Sequence, residues 1–145
     1  MQTTSAPPDL ATRLRLAVTR TARRLRQEGT VGFTASQGAL LATIERHGPL
    51  TPSELAQRER VQRPTVTRML ARLEEDGIVQ RAADPADGRS FLVSLTPAGL
   101  ELLHEVRSRK DAYLARRLSE LDDEERTALA RAADVLEHLL EGDRA

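Results

Sequence analysis

The sequence predicts a mainly α fold with a small β-hairpin wing: a winged helix-turn-helix carried between N- and C-terminal dimerisation helices. Three observations predict it. Apolar residues recur at helical spacing along most of the chain. Two short helical segments, the first opened by the cap signal Thr51-Pro52, meet at a tight turn around Val61. Two strand-like runs, "IVQRAA" and "SFLVSL", flank "DPADGR", whose Asp, Pro and Gly favour a turn.

Residues 1 to about 8 read as a flexible tail closed by Pro7-Pro8, and residues 9–145 as one domain. Within it the winged helix-turn-helix occupies about 34–96, and the dimerisation helices about 9–28 and 97–141. In the first helix Leu10, Leu14, Ala17, Val18, Thr21, Ala22 and Leu25 form an apolar stripe, with Asp9 as N-cap and Gly29 as stop. Thr34 and Gln37 form a capping box at the start of the second helix, which ends near Gly48-Pro49. Thr51-Pro52 then gives an N-cap with proline at the first helical position. Leu55 and Ala56 anchor this short third helix.

The stretch "RPTVTRMLARLEEDGI" is the fourth helix, stopped by Gly77. Val66, Met69, Leu70 and Leu73 share its inner face. At about 100° per residue, Arg68 then points outward, with Arg72 and Thr65 on one flank and Thr67 on the other. After the hairpin, Thr96-Pro97 repeats the cap signal for a long helix to about Arg117. A final helix runs from about Asp122 to Glu141 with acids in its first turn. Its stripe includes Leu129, Leu136, Leu139 and Leu140.

The chain has 145 residues, with Lys+Arg and Asp+Glu both 22, so its formal charge is zero. The local field matters more than this total. Arg58, Arg60, Arg63, Arg68 and Arg72 cluster with Glu59 as the lone acid among them, whereas the stretch from Glu120 to Asp143 is mostly acidic. There are no cysteines, which excludes disulfides and thiolate chemistry and fits a reducing compartment. With no secretory signal and no run approaching about 20 apolar residues, the expected location is the cytoplasm, with no membrane partner. Aromatics are only 2%, too few for the stacking platforms of single-strand readers.

The outer face of the fourth helix has the residues a major-groove helix uses. Arginine can donate two hydrogen bonds to guanine, and threonine can meet bases, the thymine methyl or phosphate. Arg63 is a poor N-cap, which leaves first-turn amides for a phosphate. Taken alone, the helix equally fits a solvated arginine face. Its neighbours tip the balance: Ser53, Leu55 and Ala56 have helix-turn-helix spacing, and "DPADGR" supplies a wing. There the Asp87 carboxylate is placed to orient the Arg89 guanidinium, with Gly88 between them. The expected DNA-contacting residues are Ser53, Arg63, Pro64, Thr65, Thr67, Arg68, Arg72, Asp87, Gly88 and Arg89.

The apolar stripes of the terminal helices exceed what the central module can cover. An isologous interface through Leu10, Leu14, Leu129, Leu136, Leu139 and Leu140 would bury them. A small anionic ligand would meet Arg15, Arg20, Arg23 and His47, although solvated charges and interface salt bridges are the simpler account of each. His47, His104 and His138 are too widely spaced to suggest zinc, and no cofactor is expected. No nucleophile–base pair or Gly-rich phosphate loop suggests an enzyme. The alternative is a winged-helix protein-interaction module without specific DNA binding, whose outer helix face would carry an apolar patch in place of Arg68 and Arg72.

The succession Ser53-Glu54-Leu55-Ala56, Pro64-Thr65-Val66-Thr67-Arg68, Leu73-Glu74-Glu75-Asp76-Gly77, Asp84-Pro85-Ala86-Asp87 and Leu95-Thr96-Pro97-Ala98-Gly99 resembles the MarR family of transcriptional regulators. The resemblance extends over nearly the whole chain. It implies a homodimeric winged-helix protein on pseudopalindromic duplex DNA, with a recognition helix from Arg63 to Asp76 and a wing carrying Asp87 and Arg89. Many relatives are repressors released by small phenolic or anionic effectors. The family's wing often has a second basic residue where this chain has Gly88.

Overall fold

A computed structural model describes residues 8–29 and 32–144. The elements are α1 (Pro8–Glu28), α2 (Ala35–His47), α3 (Pro52–Glu59), α4 (Arg63–Glu75), β1 (Val79–Ala83), β2 (Phe91–Leu95), α5 (Pro97–Ser119) and α6 (Asp123–Glu141), followed by a 3₁₀ turn, Gly142–Arg144. The mainly α chain with a hairpin wing is therefore the fold observed. The expected tail falls largely on residues 1–7, outside the described residues. Helix α1 already begins at Pro8, so Asp9 lies in its first turn and is not its N-cap. Proline at the helix start places the boundary one residue earlier, because its fixed φ suits the first turn.

The described residues form two compact units, dividing after Lys110. The first holds the core. Leu40, Leu41 and Ile44 of α2 pack with Leu55 and Ala56 of α3, Val66, Leu70 and Leu73 of α4, and Val79 and Val93 of the hairpin. Each large side chain so buried contributes roughly 1.5–3 kcal/mol. The hairpin pairs Val79 with Leu95 through to Ala83 with Phe91 in antiparallel register. Leu50 adds a bridge to its second strand: Leu50 N donates to Val93 O at 3.1 Å, and Val93 N to Leu50 O at 2.8 Å. The segment before α3 is thus fastened to the wing.

Local chemistry explains the element boundaries. Thr34 caps α2 and Thr51 caps α3, each in a reciprocal box with the residue three positions on. Helix α4 ends in a Schellman arrangement, with Ile78 N donating to Leu73 O at 2.8 Å and Gly77 N to Glu74 O at 3.0 Å. Gly77 supplies the φ of 74° that this closure requires. Thr96 fixes the next helix: its hydroxyl accepts from Gly99 N at 3.0 Å and donates to Gly77 O at 2.6 Å. In the second unit Asp122 caps α6 with Glu125, and the Arg126 guanidinium donates to the Leu118 and Leu121 carbonyls. No residue of α6 is buried.

Candidate nucleic-acid interface

The turn between α3 and α4 sets how α4 is presented. The chain leaves α3 through Arg60, whose φ of 54° lies in the left-handed region. Val61 N donates to Ala56 O at 3.1 Å, and Arg60 N to Gln57 O at 3.3 Å, closing the turn as a glycine would. The Thr43 hydroxyl of α2 donates to the Glu59 carboxylate and ties down the end of α3. Ser53 lies exposed in the first turn of α3.

The N-cap of α4 is Gln62, not Arg63, and it makes no side-chain cap bond. Fewer amides are free than the sequence suggests. Pro64 has none, and Thr65 N and Val66 N both donate to Gln62 O, at 3.1 and 3.3 Å. Among the described residues only the Arg63 amide is left for an outside acceptor in that first turn. Arg63, Pro64, Thr67 and Arg68 are exposed and line one shallow depression. Neither Arg63 nor Arg68 has an ion pair among the described residues. Thr67 differs from expectation in its chemistry, because its hydroxyl donates to Arg63 O at 3.0 Å. Thr65 is half-buried. Arg72 is exposed but faces Asp76, with Nε 3.4 Å from the carboxylate.

In the wing Asp87, Gly88 and Arg89 are all exposed. The expected carboxylate–guanidinium contact is not formed. Asp87 Oδ1 accepts the backbone N–H of Arg89 at 3.0 Å, as Asp84 Oδ1 accepts that of Ala86 at 2.9 Å. Aspartate in a tight turn satisfies the amide two residues on. Asp87 therefore shapes the loop tip and leaves the Arg89 side chain without a carboxylate partner among the described residues.

The first unit also contains a cavity of about 500 Å³ among the end of α1, the start of α2 and the middle of α5. Arg23 lines it; Arg15, Arg20 and His47 do not. Helix geometry accounts for this. Only the last two turns of α1 reach the cavity, and α2 contributes Gly38, Ala39 and Ala42, whereas His47 closes its far end. Arg26, Arg107 and Lys110, absent from the cations expected from the sequence, also line the cavity wall. Leu103, Val106, Arg107 and Lys110 follow an i, i+3, i+4, i+7 pattern, the available signal for one shared face. Arg107 also pairs with Glu45 of α2 at 2.7 Å.

The expected dimerisation leucines are uncovered. Leu10 and Leu14 of α1 are 50% and 41% exposed, and Leu129, Leu139 and Leu140 of α6 are 49%, 61% and 58% exposed. Leu136 is half-buried. No helix among the described residues is long and apolar enough to cross a membrane, and none of their His, Asp and Glu side chains gather in a metal-sized group.

Comparison with known proteins gives a consistent result. Residues 33–91 match the family model described as the MarR family. The chain is 42% identical over 128 residues to the uncharacterized HTH-type transcriptional regulator Mb0904 of Mycobacterium bovis, covering 88% of this chain and 90% of that protein. It is 36% identical to the HTH-type transcriptional repressor MdtR of Bacillus subtilis, covering 77% and 72%. A putative transcriptional regulator from Pseudomonas aeruginosa superimposes with a TM-score of 0.83 at 37% identity, covering 92% of this chain and 95% of that one.

Proposed function

This chain belongs to the MarR family of helix-turn-helix DNA-binding transcriptional regulators, and on that premise we propose that it works as a homodimeric repressor of pseudopalindromic duplex DNA, released by a small anionic effector. The observation that carries the DNA-reading role is the start of α4. Arg63 and Arg68 lack ion pairs among the described residues, the Arg63 amide has no acceptor there, and the helix is held from beneath by the core. Arg68 is the base-reading candidate, because its bidentate fork matches guanine. Arg63 and its amide suit a phosphate, and Arg89 suits the minor groove.

The dimer is supported by the exposed leucines of α1 and α6, which a two-fold copy would bury. Paired copies of α4 would then meet successive major grooves about 34 Å apart. A repressing role is supported by the likeness to MdtR. The effector reading is supported by the cavity, whose size is within the usual ligand range of roughly 300–1,000 Å³ and whose walls carry Arg23, Arg107 and Lys110 beside Phe33. Arg107 there also holds Glu45, so an anion competing for that guanidinium would bear on α2. A protein-docking role has no support from α4, whose outer face presents arginines instead of an apolar patch.

Binding to a duplex containing the chain's own upstream region, measured at several salt concentrations, tests the DNA-reading role. Affinity should fall steeply with salt, by about 0.9 log units per released phosphate contact for each log unit of salt. Binding indifferent to both salt and sequence would refute it. Addition of an aromatic acid should release the complex, and a full panel without release or a melting shift would refute the effector reading alone.

A further inference from the structure

We infer that Pro64 and Thr67 form a methyl-reading patch on α4 that selects thymine at one position of each half-site. The inference rests on the DNA-reading role proposed above. Pro64 and Thr67 stand three residues apart on the exposed first turns of α4, between Arg63 and Arg68, and these four residues line one depression. The bond from Thr67 Oγ1 to Arg63 O has two consequences. It commits the hydroxyl proton, so the side chain has no donor for a phosphate, which offers only acceptors. It also holds a β-branched side chain in one rotamer, so the Thr67 methyl keeps one orientation in the depression that Pro64 also lines. Between two guanidinium groups, the apolar matter that a base edge would meet is therefore this proline and this methyl. The C5-methyl of thymine is the apolar feature of the major-groove edge, and threonine methyls are among its partners.

The test begins by selecting duplexes from a random pool with the wild-type protein and replacing each thymine of the selected site by deoxyuridine, which removes only the methyl. One thymine per half-site should lose about four-fold in affinity, the value for one methyl-sized group returned to water. In Thr67→Ser, which keeps the hydroxyl bond but lacks the methyl, that thymine and uracil should bind alike. In Thr67→Val, which keeps the methyl and lacks the hydroxyl, the preference for thymine should persist. Thermal melting of both variants checks that they fold. If Thr67→Ser discriminates thymine from uracil as the wild type does, or the selected sites contain no methyl-sensitive thymine, the methyl patch is overturned while the DNA-reading role stands. If no sequence is enriched at all, the DNA-reading role falls and the patch with it.

Discussion

Arg81 Nε donates to Glu74 Oε2 at 2.6 Å, tying the last turn of α4 to the first strand of the wing. The same guanidinium lies 4.3 Å from the centre of the Phe91 ring on the second strand. One side chain thus joins α4 to both strands of the hairpin. Both members of the ion pair are partly exposed, so its own worth is below about 1 kcal/mol after screening, and the ring contact adds about 0.5–1 kcal/mol. Arg81→Ala should therefore cost about 1 kcal/mol and lower the melting temperature by about 2–4 °C. Thermal denaturation at low and high salt checks this, and the difference from wild type should shrink as salt rises.

Gly99 sits where α5 starts against the end of α4. A Cβ there would stand 2.1 Å from the Ile78 carbonyl oxygen, backbone that cannot swing aside. Gly99→Ala should lose about 1–3 kcal/mol through overpacking. Leu100→Ala, at a position 46% exposed, should cost far less. Urea unfolding midpoints of the two variants provide the comparison.

Arg60 adopts a left-handed conformation at the α3–α4 turn with φ of 54°. A non-glycine residue there is strained by about 1–2 kcal/mol. Arg60→Gly should accordingly raise stability by up to about 1 kcal/mol, because glycine adopts the conformation freely but loses more entropy on folding. A denaturant midpoint unchanged or lowered in Arg60→Gly would mean that the side chain makes a compensating contact.

Leu139 is the most exposed of the large apolar residues among those described, at 61%. If a second copy covers it, Leu139→Asp places a carboxylate in that interface, desolvated and without a partner. Sedimentation should then find a monomer where the wild type is a dimer. DNA affinity should fall with it, because the second recognition helix is lost. An unaltered sedimentation coefficient would move the interface elsewhere.

The parts of the fold legible in the sequence were those settled within a few residues. The box Thr34/Gln37, the cap at Thr51-Pro52, the stop at Gly77 and the buried face Val66–Leu70–Leu73 are all local patterns. What was hidden depends on distance along the chain or on competition between nearby partners. The Leu50–Val93 bridge joins segments that no periodicity links. The cavity wall joins the last two turns of α1 and the start of α2 to Arg107 and Lys110 on α5, so Arg15 and Arg20, on earlier turns of α1, stop short of it. Asp87 had two possible partners within reach, the Arg89 guanidinium and the Arg89 amide, and the tight turn favours the amide. Arg60 occupies a conformation that glycine usually signals, and no glycine was present to mark it.

In the proposed complex, guanidinium groups from two copies of α4 enter successive major grooves of one duplex. Methylation interference at guanine N7, on a duplex selected by the wild-type protein, tests it most directly, because N7 is where a bidentate arginine binds. Two clusters of interfering guanines should be found, centred about 10 base pairs apart. Arg68→Ala should lose about 1–3 kcal/mol of specific binding and become indifferent to methylation in both clusters. A single cluster, or interference as strong in Arg68→Ala as in the wild type, would contradict it.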